Sequence, residues 1–234
     1  MQLFYTPEIN NATETYFFDK EESKHIVKVL RKKEGDILYV TNGLGFLFKT
    51  EVILASEKKC TVKTIEFQQQ TEVPFYIHLA VAPTKMNDRF EWFLEKATEI
   101  GIQEITPIIC DHSERKVIKT DRFEKIIQSA MKQSNQFYLP KLNEPITFKE
   151  FMNRSLDGNL FIAHCEDTIK NDLHKNIPLN EKYTLLIGPE GDFSTKEIET
   201  AIANNFKPVA LGNTRLRTET AAVVACHTFV LANS

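Results

Sequence analysis

The spacing of apolar positions changes partway along this chain, and the change predicts two structural units. In residues 1–70 the apolar positions fall in short β-branched and aromatic runs, Thr15–Phe18, Ile37–Val40, Phe46–Leu54 and Cys60–Phe67. Runs of this length bounded by turn residues predict strands, and Asn42-Gly43 predicts a hairpin between the second and third. One helix interrupts them. Asp19 and Glu22 stand at the spacing of a capping pair, Ile26, Val29 and Leu30 share one helical face, and Gly35 predicts a break after an end near Lys33. A small β-barrel with one helix packed on it fits this pattern.

The stretch Gln68–Pro74 is polar, has no period and ends in proline, which predicts a linker. Over residues 74–234 the period alternates. Tyr76–Val81, Ile105–Ile109, Asn159–Ala163, Tyr183–Ile187 and Val209–Leu211 predict strands. Between them lies a helix from about Asp88 to Ile100, with Phe90, Phe93, Leu94 and Ala97 on one face and Gly101 as its stop. A second helix starts at Asp121 with Glu124 completing its cap. It carries Phe123, Ile126, Ile127, Ala130, Met131 and Ser134 at helical period. Ser194 and Glu197 predict the cap of a third, which bears Ile198, Ala201 and Ile202. The last helix, about Glu219 to Leu231, is apolar almost all round and is expected to be buried, in part within a dimer interface. Strands alternating with helices predict an α/β domain whose mostly parallel sheet is covered on both faces.

Composition narrows the classes. The longest apolar runs, such as Ala221–Cys226, fall far short of the roughly 20 residues that span a bilayer. The start MQLFYTPEIN has no signal-peptide character, so a cytoplasmic protein with no membrane association is expected. Cys60, Cys110, Cys165 and Cys226 form no C-x-x-C pair and no histidine pair complements them. Buried reduced thiols and no metal site are therefore expected. The formal charge of −3 argues mildly against a nucleic-acid partner. Residues 24–33 nevertheless hold Lys24, Lys28, Arg31, Lys32 and Lys33 without an acid, which suits a solvated helix face and a phosphate-binding patch equally.

Ligands of open α/β sheets bind beyond the carboxyl ends of the strands, so the strand-to-helix loops are the first candidates. Neither G-x-x-x-x-G-K-[ST] nor G-x-G-x-x-G occurs, which argues against an ATPase or a dinucleotide-dependent dehydrogenase. Two other loops stand out. Gly188-Pro189-Glu190-Gly191 follows the strand ending at Ile187; its glycines permit close backbone approach and its proline stiffens the turn. Leu211-Gly212 leads through Asn213, Thr214, Arg215, Leu216 and Arg217 into the last helix. Thr218 as N-cap and Glu219 in the first turn suit a helix start, whereas a cation such as Arg217 is disfavoured there and needs another reason.

Together, GPEG-x-F-S-x-x-E-I and LG-x-x-x-LRTETA resemble the RsmE family of 16S ribosomal RNA uridine N3-methyltransferases, in the SPOUT superfamily. His25-x-x-x-Val29-Leu30-Arg31 is similar to its H-x-x-x-VLR. The stretch holding Lys85, Arg89, Glu91, Lys96, Glu99, Gly101, Ile105 and Pro107 is similar to another of its motifs, and Ser113-Glu114-Arg115 to its S-E-R. The likeness spans nearly the whole chain and implies a PUA-like RNA-binding barrel followed by a SPOUT α/β domain closed by a trefoil knot. It implies S-adenosylmethionine bound by Ile187, Gly188, Pro189, Glu190, Gly191, Leu211, Gly212, Leu216 and Arg217, with His164 bordering the pocket. It also implies 16S rRNA, within the small ribosomal subunit, as partner, and a homodimer. Arg217 and Glu219 are the expected catalytic pair, Arg217 favouring the uridine anion and Glu219 positioning it or relaying the proton. His25, Arg31, Lys85, Arg89, Arg115 and Gln133 are the expected RNA contacts.

Two departures stand against the likeness. Asp192 follows Gly191 where the family commonly has glycine, and its carboxylate either retunes the pocket or faces water. Lys132-Gln133-Ser134-Asn135-Gln136 lacks the arginine of the family's E-Q-S-x-R pattern, which puts RNA contact from that helix in doubt. Two other classes stay open: a SPOUT enzyme acting on a ribose hydroxyl or another base of tRNA or rRNA, and a non-catalytic RNA-binding protein.

Overall fold

In the computed structural model, which describes residues 1–166 and 169–234, the β-branched runs of the N-terminal region pair into one sheet. Its strands are β1 (Leu3–Tyr5), β2 (Thr15–Phe17), β3 (Ile37–Thr41), β4 (Phe46–Leu54) and β5 (Thr61–Gln69), in the order β1-β3-β4-β5-β2. The Asn42-Gly43 turn joins β3 and β4 as an antiparallel hairpin, with Gly43 at φ 75°. Phe4, Phe18, Leu38, Val40, Phe48 and Val62 fill the core beneath. Strand β1 escapes a search by pattern because it is only three residues long. Strand β5 runs on to Gln69, two residues into the polar stretch expected to be linker.

The helix of this unit is shorter than expected and changes its winding. Asp19 caps α1 (Lys20–Lys24) by accepting from Glu22 N at 2.8 Å, but Glu22 turns to His25 Nδ1, at 2.9 Å, instead of completing a capping box. His25–Val29 then winds as a π-helix. Its wider turn rotates the face, so Ile26 stays buried, Val27 and Leu30 pack on the core, and Val29 is left 67% exposed. Arg31, at φ 54°, ends the segment two residues before Lys33.

The chain forms two compact units, Met1–Glu72 with Met131–Leu139, and Val73–Ala130 with Pro140–Ser234. In the first, Gly45 N and the Thr41 hydroxyl both donate to Phe137 O, at 2.9 and 3.2 Å. Gly45 has no room for a Cβ because the Tyr138 ring lies against it.

The second unit carries the predicted alternation: β6 (Tyr76–Val81), α2 (Asn87–Ile100), β7 (Glu104–Ile109), α3 (Thr120–Gln133, which extends into the first unit), β8 (Lys141–Leu142), β9 (Ile146–Thr147), α4 (Phe148–Met152), β10 (Asn159–Ala163), β11 (Asn171–Asp172), β12 (Lys182–Ile187), α5 (Thr195–Ala203), β13 (Lys207–Ala210) and α6 (Thr218–Ala232). The sheet is parallel, ordered β11-β13-β10-β12-β6-β7-β8, with β9 beside β7. Strand β13 begins at Lys207, not Val209. Pro208 is accommodated because β11 pairs only from Val209 onward, so its missing N–H breaks no bond on that side.

Helix α6 is buried on one face only. Ala222, Ala225, Cys226 and Phe229 are covered, Val223, Val224 and Val230 are half-buried, and Leu231 is 64% exposed. The expected all-round burial is therefore absent within one chain, since α2, β6 and β12 can cover only the side of the helix they touch.

The amino ends of the sheet strands carry a buried polar cluster. Glu104 accepts from Tyr76 OH at 2.9 Å, Asn143 Nδ2 at 2.6 Å and Lys141 Nζ at 3.0 Å; His78 Nε2 meets the Thr106 hydroxyl at 2.7 Å. Burial pushes His78 down to about 4. Burial alone raises the Glu104 carboxyl, but the Asn143 bond, the field of His78 and the Lys141 and Tyr76 bonds bring it down to about 2. Both groups have folded values below their unfolded 6.5 and 4.5, so their stabilisation is complete above pH 6.5. The His78 share is lost as pH falls from 6.5 through about 4, and the Glu104 share from 4.5 toward 2. Urea unfolding at pH 7 and pH 4.5 should show the protein less stable in acid, and His78→Gln should flatten part of that slope.

Candidate active site

Four loops meet beyond the carboxyl ends of β6, β10, β12 and β13. The first is Gly188-Pro189-Glu190-Gly191, which Asp192 N closes by donating to Pro189 O at 2.9 Å. Its glycines are steric requirements. A Cβ on Gly188 would stand 3.0 Å from the Phe193 ring, and one on Gly191 would stand 3.1 Å from His112 Cβ. The Ser194–Glu197 capping box then starts α5, and Glu197 also accepts from Asp111 N at 2.9 Å, anchoring the turn to the end of β7.

The second loop, Leu211–Arg217, turns at Gly212 with φ 143° and enters α6. The N-cap of α6 is Arg217, which makes no side-chain cap bond. Thr218, expected as that cap, instead donates its hydroxyl to Gly188 O at 3.0 Å and is buried. This one bond joins the two motifs across thirty residues of sequence. Propensity rules place threonine at helix starts for backbone N–H groups and give no sign of a distant carbonyl.

Two more contacts complete the junction. Cys165 N, in the loop after β10, donates to Asp192 Oδ2 at 2.7 Å, and Lys85 N, in the loop after β6, donates to Glu190 Oε1 at 2.9 Å. Between the loops lies a cavity of about 290 Å³. Of the expected pocket residues, Ile187, Gly188, Pro189, Glu190, Leu216 and Arg217 line it. Gly191, Leu211, Gly212 and His164 are not among its lining residues. Ala163, Cys165, Asp192, Arg215, Thr218 and Ala221 line it as well. Cys165 thus departs from the expectation of four buried thiols: it is exposed on the cavity, whereas Cys60, Cys110 and Cys226 are buried. The position of Ala163 at the end of β10 and of Cys165 just past it was the signal available for them.

The walls suit an adenosyl group with a charged tail. Ala163, Ile187, Leu216 and Ala221 offer apolar surface, the glycine turn offers backbone groups, and Glu190, Asp192, Arg215 and Arg217 offer both signs of charge. Beside the cavity, His164 is 7% exposed and neither of its ring nitrogens has a partner. Burial, reinforced by the Lys170 ammonium, lowers its pKa, so the ring is neutral at neutral pH. Glu219 is equally buried. Its Oε1 lies 3.9 Å from Arg89 Nε, its Oε2 has no partner, and among the described residues no ion pair joins it to Arg217.

The expected RNA contacts divide between the units. In the first, His25 is held by Glu22, Arg31 is exposed in its left-handed conformation, and Gln133 is exposed at the end of α3. In the second, Lys85 Nζ pairs with Glu114 at 2.7 Å and Arg115 Nη1 donates to Lys85 O at 3.5 Å, so both stand beside the Glu190 contact. Among the described residues no three His, Cys, Asp or Glu side chains converge on a metal site, and no helix is long and apolar enough to cross a membrane.

If the Thr218–Gly188 bond holds the site together, Thr218→Val should cost about 1–3 kcal/mol, because the buried carbonyl loses its partner while side-chain shape is kept. Urea unfolding of the variant measures this, and a cost within error of zero would show the bond to be incidental.

Comparison with known proteins agrees with this arrangement. The RNA methyltransferase domain family matches residues 71–230, and the RNA methyltransferase PUA domain family matches residues 18–65. Ribosomal RNA small subunit methyltransferase E of Buchnera aphidicola subsp. Acyrthosiphon pisum is 34% identical, over 90% of this chain and 85% of its own. The Bacillus subtilis protein of that name is 28% identical, over 90% and 88%. A Porphyromonas gingivalis structure described as a probable rRNA-methyltransferase superposes with a TM-score of 0.91 at 37% identity, covering 99% of both chains. A Legionella pneumophila structure with bound S-adenosylmethionine superposes with a TM-score of 0.89 at 27% identity, covering 99% and 98%. With one domain family matched over most of its length and relatives that align nearly end to end, the chain belongs to the ribosomal RNA small subunit methyltransferase E family of RNA methyltransferases.

Proposed function

We propose that this protein transfers the methyl group of S-adenosylmethionine to N3 of a uridine in 16S rRNA of the small ribosomal subunit. The observation that carries the reading is the Thr218–Gly188 hydrogen bond, which brings both family motifs onto one cavity. Bound there, S-adenosylmethionine would supply an electrophilic methyl group. Ile187, Leu216 and the Gly188–Glu190 turn would hold its adenosyl part, and the mixed charges of the wall its amino-acid end.

The protein's own task is then to align uracil N3 and to make its proton removable. Alignment alone is worth roughly 7–11 kcal/mol when the geometry is right. Arg217 faces the cavity and has no acidic partner among the described residues, so its field is free to favour the uridine anion. Glu219, with Oε2 buried and unpartnered, is the group left to receive or relay the N3 proton. Lys85, Arg89 and Arg115, with His25, Arg31 and Gln133 of the first unit, are the RNA contacts in this reading. The half-covered apolar face of α6 supports a homodimer; sedimentation of the chain as a monomer would remove that part. A negatively charged chain also suits the assembled subunit as substrate, where RNA shape adds to charge; equal activity on stripped rRNA would count against this.

Small subunits from cells lacking the gene, incubated with the protein and S-adenosylmethionine, should yield N3-methyluridine in digested 16S rRNA by mass spectrometry. A ribose-methylated nucleoside, or methyl transfer to tRNA only, would replace the assignment. Arg217→Ala should lower the methylation rate about 10²-fold, as loss of one preorganised charge donor does, while still binding cofactor. A parental rate in that variant would take Arg217 out of the chemistry. Glu219→Gln with an unaltered pH profile would do the same for Glu219.

A further inference from the structure

Asp192 stands at φ 64°, in the left-handed region that favours glycine. A short acidic side chain tolerates this conformation when it hydrogen-bonds locally. Here Oδ1 accepts from Phe193 N at 2.9 Å and Oδ2 from Cys165 N at 2.7 Å. The same side chain lines the cavity, and among the described residues no lysine or arginine forms an ion pair with it. The other carboxylate of the wall, Glu190, is committed to Lys85 N. Asp192 is thus fixed by two backbone donors and forms no ion pair, on a wall that also carries Arg215 and Arg217.

We infer that Asp192 shifts the charge preference of the cavity, against the field of Arg215 and Arg217, toward the cationic sulfonium of S-adenosylmethionine and away from the neutral thioether of the product, S-adenosylhomocysteine. The inference rests on the cofactor reading above. A sphere of about 290 Å³ is roughly 8 Å across, so a charge anywhere inside feels Asp192 within one Debye length. At that separation and an effective dielectric of about 50, suited to an open and solvated cavity, the interaction corresponds to about a three- to fivefold difference in affinity. The neutral product receives none of it. The device would speed exchange of spent for fresh cofactor without touching the reacting atoms, which makes Asp192 a specificity residue and not a catalytic one.

The test is calorimetric titration with S-adenosylmethionine and with S-adenosylhomocysteine. Asp192→Asn keeps an acceptor for Cys165 N and tolerates the backbone, but loses the charge. It should weaken S-adenosylmethionine about three- to fivefold and leave S-adenosylhomocysteine within about twofold, so that the affinity ratio collapses. An analogue with an amine in place of the sulfonium should follow S-adenosylmethionine, because charge is what is read. Asp192→Gly keeps φ 64° but severs both backbone bonds; it should weaken both ligands while giving the same reduced ratio. A purely structural role would weaken both ligands equally in both variants, and an unchanged ratio in Asp192→Asn overturns the inference. A parental protein that bound neither ligand would overturn the cofactor reading itself, a result separable from the first.

Discussion

The hydrogen bond from the Thr218 hydroxyl to Gly188 O joins the two loops on which the proposed site depends. It is made between the residue directly after one loop's last arginine and the first residue of another turn, both buried. A carbonyl left unpaired there would cost on the order of 1–3 kcal/mol, comparable to several exposed ion pairs. The same turn is fixed from other sides, with Glu190 on Lys85 N, Asp192 on Cys165 N and Gly191 O against the His112 ring at 3.1 Å. On the proposed reading the cofactor site is thereby built on loops whose positions are over-determined, so little ordering entropy would remain to be spent on binding.

The two ends of the sheet divide stability from function. At the amino ends, Tyr76, His78, Glu104 and Asn143 satisfy one another in a closed network. At the carboxyl ends, buried polar atoms are left open, namely both ring nitrogens of His164 and Oε2 of Glu219. Buried groups without a hydrogen-bond partner are rare because each carries a desolvation cost, and three of the four such atoms among the described residues belong to His164 and Glu219, at the end of the sheet where the proposed function puts the chemistry.

The architecture was legible in the sequence where the local signal and the tertiary outcome share a cause. Tyr76–Val81 and Asn159–Ala163 are apolar runs because parallel strands are buried on both faces, and Ser194–Glu197 is a capping box in sequence and in space. Legibility failed where a long-range partner overrode a local preference. Glu22 left its cap for His25, Thr218 left its cap for Gly188, and the π-turn of His25–Val29 moved Val29 out of the core. The short elements were a different failure. Thr147-x-x-Glu150 is a capping box that heads α4, visible in the chain but easily passed over before a five-residue helix. In the site, the two motif loops were readable, whereas Ala163 and Cys165 enter the cavity through the topology that sets β10 beside β12, and Ala221 through the start of α6.

Net charge proved a poor guide to partner for a related reason. The chain has 29 basic and 32 acidic residues, but many of the cations are matched: Lys28 with Glu57, Lys49 with Glu66, Lys96 with Glu95 and Glu99, Arg122 with Glu91, Lys141 with Glu104. Pairs of this kind, mostly exposed, remove charge from the field without adding much stability. Arg215 and Arg217 carry no such pair among the described residues, and both line the cavity. An overall charge of −3 therefore coexists with cations on the cavity wall that form no ion pair among the described residues. Distribution, and not total, therefore sets where a polyanion can dock.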